Sequence, residues 1–305
     1  MRSRPLGVLL VCVVLSCSRK DAAPAGGANS IDAAAPAVSV ASTAASTAAR
    51  GAPIPSAKIA ETVNPDGLAP YAGPTGSVEG RVTVIGDPAP PSGLNFTKCP
   101  EAEAVYGRVF REGAPLADGA RPLADALVVI TGYKGFVAEK NEAKSIRIRG
   151  CAISPKTIDL TFGQRLEIGN DMGTGRLFAP QLANHPLPAL MVAPHKAEPV
   201  KLWPIEPGFT QLIDRFGHEF LVSDVYTLLQ PLHAVSAEDG TFRIDGIPVG
   251  KVDVNARLRH INRDVTKSVE VRANVVSRVD VTMEYKSPPP KPATSADAGP
   301  RIIIK

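Results

Sequence analysis

Between Gly76 and Tyr285 apolar and polar residues alternate in short runs, and no stretch of useful length carries an apolar residue every three to four positions. A period of two is what a strand with one buried face requires, because successive side chains leave opposite sides of the backbone. The run SVEGRVTVI at 77–85 shows it most plainly. Similar runs stand at 126–130, 145–148, 156–162, 164–168, 220–226, 241–244, 251–258, 268–271 and 278–283. Asp239-Gly240 separates two of them, a pair suited to a hairpin turn because glycine accepts positive φ. A calcium loop is the other reading of an Asp-Gly pair, but the ligand spacing is absent. Gly246 to Gly250 makes a second turn. The pattern predicts an all-β protein of sandwich type, with room for one large or two small domains.

The flanks read differently. The first aromatic residue is Tyr71, and 18–75 is Ala, Pro, Ser, Thr and Gly with scattered charges. Nothing there offers a core anchor, and the prolines at 24, 36, 53, 55, 65 and 70 interrupt any long helix. The expectation is a flexible tether over 17–75. A proline-rich tail follows over 286–305, ending in Arg301 and Lys305 around three isoleucines. That short run either pairs along a sheet edge or is incidental.

At the start, Arg2 and Arg4 precede an apolar run over 6–15 that ends in Ser16 and Cys17. Ten residues are too few to span a bilayer core of roughly 30 Å as a helix, so 1–16 reads as a signal peptide. The tetrapeptide VLSC at 14–17 resembles the lipobox of bacterial lipoproteins, which implies lipidation at Cys17 and a membrane partner through the N-terminal lipid. Ser18 after it points toward the outer membrane, at its periplasmic face or its surface. The balance of 34 Lys and Arg against 30 Asp and Glu, net +4, excludes a strongly basic nucleic-acid binder as the default.

Three segments, GSVEGRV at 76–82, LADALVVITG at 123–132 and AEDGTFRIDGIPVG at 237–250, together resemble a carboxypeptidase regulatory-like domain. In that family the last segment follows the second quickly, whereas here about a hundred residues intervene. The intervening ISPKTIDLTFGQRLEIGN at 153–170 and EPGFTQL at 206–212 resemble a cupredoxin-type domain. The resemblance implies a regulatory-like sandwich over 76–135 and 233–285, interrupted by a cupredoxin-like insert over 136–232.

A blue-copper centre needs two His, one Cys thiolate and usually an axial Met. The family places the first His soon after the position of Asn170, where Arg176 stands instead. In RFGHEFL at 215–221, His218 keeps a histidine position, while Arg215 replaces the thiolate and Leu221 the methionine. The resemblance therefore implies the fold without the metal, and no copper or other cofactor is expected. The alternative is a non-standard copper site drawing on His218 with His185, Met191 and His195 from a proline-rich loop. Asp214, Glu219 and Asp224 stand at spacings of an ordinary solvated face. The sequence carries no G-x-S-x-G, HExxH, P-loop or GxGxxG context, so no enzymatic activity is expected.

Related two-module proteins also carry a cysteine in the contexts of Cys99 and Cys151, which implies a disulfide between them. With Cys12 removed and Cys17 acylated, these are the remaining thiols of the mature chain, and an exported compartment preserves such a bond. Two separate buried thiols are the alternative. The reading is a non-catalytic, membrane-tethered binding or assembly module of the cell envelope, with an envelope protein or a glycan as partner. The competing reading is periplasmic metal handling.

Overall fold

The chain's first regular strand shows how the sequence builds its sheets. In β1 (Thr75–Gly86) Val78, Val82 and Val84 are wholly buried, while Ser77, Glu79 and Arg81, on the alternate positions, are only partly covered. A computed structural model describes residues 53–173, 176–183, 198–218 and 220–289. After β1 come β2 (Arg121–Pro122) and β3 (Leu127–Thr131). Then follow β4 (Ala143–Arg149), β5 (Ala152–Ile153), β6 (Thr157–Thr161), β7 (Arg165–Asn170), β8 (Pro180–Leu182), β9 (Val200–Leu202), β10 (Gly208–Asp214) and β11 (Val222–Leu228). The chain closes with β12 (His233–Val235), β13 (Thr241–Pro248), β14 (Gly250–Leu258), β15 (Ile261–Val271), β16 (Val276–Arg278) and β17 (Val281–Tyr285).

The described strands form four sheets, stacked as two sandwiches; this is the all-β architecture expected. In the outer sandwich β1 pairs antiparallel with β13 and β2 and parallel with β16 and β17. The facing sheet has the order β12-β3-β14-β15. Between them lie Val82, Leu123, Val128, Ile130, Ile247, Val254, Val281 and Met283, with Phe110 edge-on to Tyr285. In the inner sandwich the sheet β6-β11-β10-β8 faces β5-β4-β7-β9. Its core is Ile148, Ile153, Ile158, Leu160, Leu166, Ile168, Leu212, Leu221 and Val225. Two parallel pairs, β4 with β7 and β6 with β11, run through it.

The expected turn at Asp239-Gly240 forms. Gly240 takes φ +80°, and a side chain there would collide with the Val82 carbonyl oxygen. Asp239 Oδ1 accepts from the Thr241 amide at 3.0 Å and hydroxyl at 2.6 Å. The single strand expected over 278–283 is two strands. Val279 donates its amide to the Glu79 carbonyl, and Asp280 Oδ1 accepts from the Arg81 amide at 2.8 Å. These bonds turn the chain between β16 and β17, where Gly80 lets the two backbones approach closely.

The segment expected as a tether is structured at its far end. Ser56–Val63 forms α1, with the side chain of Ile59 against Gly163. Ile59 and Val63 stand one turn apart on one helix face, a pairing that a scan for long apolar periods passes over. Tyr71 then donates its amide to Phe136 at 2.7 Å. A second departure concerns the loop between β1 and β2. A 3₁₀ turn at Pro100–Ala102 and the one-turn helix α2 (Glu103–Tyr106) place Cys99, Ala102 and Tyr106 in the core of the inner sandwich. Residue positions assigned by sequence to the outer module thus complete the inner one. Among the described residues no helix is long and apolar enough to cross a membrane.

Candidate functional site

The ends of β7 and β10 carry the positions where the sequence pattern places copper ligands. Asn170, at the end of β7, donates to the Arg176 carbonyl at 3.0 Å and accepts the Met172 amide at 3.0 Å, so it fixes the loop that follows. At the end of β10 the Asp214 carboxylate is wholly buried, which corrects the expectation of a solvated carboxylate. Its Oδ1 accepts the Ala179 amide at 2.6 Å and its Oδ2 meets His218 Nδ1 at 2.5 Å. The imidazole lies between the rings of Phe178, at 4.7 Å, and Phe220, at 5.8 Å. His218 is thereby held by a carboxylate and packed against two aromatic rings.

The neighbouring positions supply no copper donors. Arg215 donates from Nε to Gln181 Oε1 at 2.5 Å, and Leu221 is sealed in the core. The Arg176 guanidinium lies against the sulfurs of Cys99 and Cys151 and 3.5 Å from Glu101. Those two cysteines form the expected disulfide, with their Cα atoms 6.1 Å apart. Cys99, Glu101 and Cys151 bring their donor atoms close together, but sulfurs bonded to each other are not thiolates. A guanidinium, an amide-bound arginine and a leucine do not fit a blue-copper centre. His185, Met191, His195, Glu219 and Cys17 lie outside the described residues.

A cleft of about 300 Å³ opens between the two sandwiches. Its floor is apolar, from Leu94, Tyr106, Phe220, Val222 and Leu258, and its polar groups converge from distant parts of the chain. Lys156, entering β6, donates from Nζ to the carbonyls of Arg108 at 3.2 Å and Val109 at 3.0 Å. Its ammonium also stands 5.6 Å from the centre of the Tyr106 ring. Burial, reinforced by the Arg111 guanidinium and opposed by Asp125 and Asp224, holds Lys156 below the usual lysine range. Burial likewise pushes the Tyr106 hydroxyl up to about 12.

Two carboxylates at the cleft are already occupied. Asp125 sits at φ +64° and takes Arg111 through two contacts of 2.7 and 2.8 Å. Its Oδ1 also accepts the Lys156 amide at 2.8 Å. Asp224, only 12% exposed, accepts from Arg259 Nη1 at 3.0 Å and Gln211 Nε2 at 3.1 Å. It too is less solvated than its sequence spacing suggests. Along the same wall Arg259 covers the Phe209 ring at 5.1 Å, and Phe209 packs on Tyr226 at 5.2 Å. Sequence reasoning missed the pairing of Lys156 with Arg259 and His260 because only the docking of β6 and β11 on the end of β14 assembles it.

No protein-family model matches the chain, and no curated protein matches it. Among solved structures, part of the chain is similar to the Cu-containing nitrite reductase from Thermus scotoductus SA-01, at 15% identity and TM-score 0.24. That match covers 33% of this chain and 25% of the reductase, so the chain spans a quarter of that relative. A reduced mutant of amicyanin is similar at 11% identity and TM-score 0.21, over 33% of this chain and 97% of amicyanin. A second amicyanin mutant, in its reduced Cu(I) form, matches at the same identity, score and coverage.

Proposed function

We propose that this chain is a non-catalytic binding module of the cell envelope, anchored through lipid at Cys17. In this reading a regulatory-like sandwich carries a cupredoxin-like insert whose copper ligands have been replaced. The observation that supports it is the cleft between the sandwiches, where an apolar floor meets Lys156, Gln211, Arg259 and His260. Clefts at module junctions with few convergent polar groups are the usual form of a ligand site. The competing metal-handling reading draws on His218 alone among the described residues, whose Nδ1 is held by Asp214.

Metal titration of the full chain separates the two. Copper(II) added to the oxidised protein is expected to produce no intense blue absorption, and dialysed protein to retain no stoichiometric metal. A blue colour abolished by His218→Ala overturns the reading. Replacement of Cys17 by Ser is expected to move the product from the detergent-requiring fraction to the soluble one, or to stall its processing.

A further inference from the structure

We propose that the cleft takes a small carboxylate with an apolar body, its charged end on Lys156 and Arg259 and its body over Leu94, Tyr106, Phe220 and Leu258. This inference rests on the binding reading above and names the ligand class of the same site.

The charge distribution carries it. Five charged side chains line the cleft: Arg108, Asp125, Lys156, Asp224 and Arg259. Asp125 is neutralised from behind by Arg111, with both oxygens filled. Asp224 is matched by Arg259. Lys156 and Arg108 meet only carbonyl oxygens: Lys156 those of Arg108 and Val109, Arg108 that of Ala89 at 2.6 Å. An ammonium with three donors keeps one beyond those two carbonyls, and among the described residues Asp125 and Asp224 act on it at longer range without a direct ion pair. A half-buried cation with no carboxylate in direct contact favours an anion at close range, where water screens little. Arg259 bonds Asp224 through Nη1, which leaves Nε and Nη2 of the planar fork for a second oxygen pair. Below these cations the lining is aromatic and aliphatic, so the rest of the ligand is apolar. The cleft stands at the small end of ligand pockets, the size of a single aromatic acid or a short fatty acid.

Calorimetric titration of the full chain with benzoate, against the neutral isostere benzamide, tests the proposal. Benzoate is expected to bind, with benzamide at least tenfold weaker. Lys156→Met is expected to weaken benzoate at least tenfold and leave benzamide nearly unchanged. Because Lys156 also ties down two carbonyls, the rim variant Arg259→Gln provides a second reading in a folded protein, with a several-fold loss for benzoate alone. Benzamide binding as tightly as benzoate, or variants that bind benzoate as the parent does, overturns the anion assignment while the cleft remains a ligand site. If neither compound binds at millimolar concentration, the site itself falls, and the ligand class with it.

Discussion

His233, on the outer sandwich, lies 2.8 Å through Nδ1 from Oδ2 of Asp159, on the inner one. Both side chains are buried, 6% and 3% exposed. The same carboxylate accepts from Lys144 Nζ at 2.5 Å, and His233 Nε2 reaches the Thr161 hydroxyl, which itself donates to Glu139 at 2.7 Å. A chain of polar contacts thus fastens β12 to β6 where the chain re-enters the outer module.

Burial by itself would raise the Asp159 carboxyl, but the His233 hydrogen bond and the Lys144 ammonium outweigh it and hold the group at about 2, below its ordinary 3.8. A depressed carboxyl stabilises the fold above its unfolded value and loses that contribution as pH falls through the folded one. Asp159→Asn is expected to lose about 2 kcal/mol of stability at neutral pH. In urea unfolding as a function of pH, the gap between parent and variant should stay constant above about pH 4 and close by about pH 2. A gap that persists in acid contradicts the assignment.

The Cys99–Cys151 bridge closes a loop of sequence separation 52 and staples the segment before α2 to the start of β5. Closing a loop of that length is worth about 4 kcal/mol in the chain-entropy account. Cys99→Ser is expected to lower the denaturant midpoint accordingly, and reductant should do the same to the parent but nothing further to the variant. Titration of the unreduced, denatured chain should find neither thiol; two free thiols would refute the bridge.

Tyr106 closes a reciprocal pair with Ile153, its hydroxyl accepting the amide at 3.2 Å and donating to the carbonyl at 3.4 Å. Because burial raises its ionisation to about 12, the neutral phenol stabilises the fold below pH 10, and that contribution is lost as pH rises through 12. Tyr106→Phe should cost about 1 kcal/mol at neutral pH by orphaning the Ile153 amide. Absorbance titration of the phenolates should lose a step above pH 11 in the variant. The same titration unchanged would place the late step on another tyrosine.

Arg111 and Asp125 form a two-point ion pair with side chains 14% and 3% exposed. Arg111→Met leaves a buried carboxylate without its cation and is expected to cost about 3 kcal/mol. Adding Asp125→Asn removes that charge, keeps a residue tolerant of positive φ, and should recover part of the loss. A double-mutant cycle by chemical denaturation measures this, and strict additivity would mean that the pair contributes nothing jointly.

The long alternating runs of β1, β13 and β14 were legible because burial on one face imposes a period of two. The strands β5, β8, β9 and β12 span two or three residues each and are too short to carry a period, so only their neighbours define them. The disulfide was accessible from the cysteine contexts. Arg215 and Leu221 were readable as residues; that Arg215 meets Gln181 and Leu221 is sealed in the core was not. Asp214 and Asp224 have the same spacing as any rim carboxylate; whether each is solvated depends on which loop covers it. Lys156, Asp224 and Arg259 meet only through the docking of two sandwiches, and no local pattern in the chain records that meeting.

One consequence follows from the pairing of β1, in which Arg81 stands opposite Thr241 and Val82 beside Val281. Among the described residues, the first strand to leave the ribosome is completed by the last ones. Strands β4 to β11 are contiguous in sequence and can assemble while β1 still waits with its valines unsheltered. Closing so distant a contact is slow, so the interval before β13 and β17 arrive is when the nascent chain is most open to sticking to its neighbours. If β4 to β11 assemble first, they shorten the span that the two halves of the outer sandwich must search to find each other.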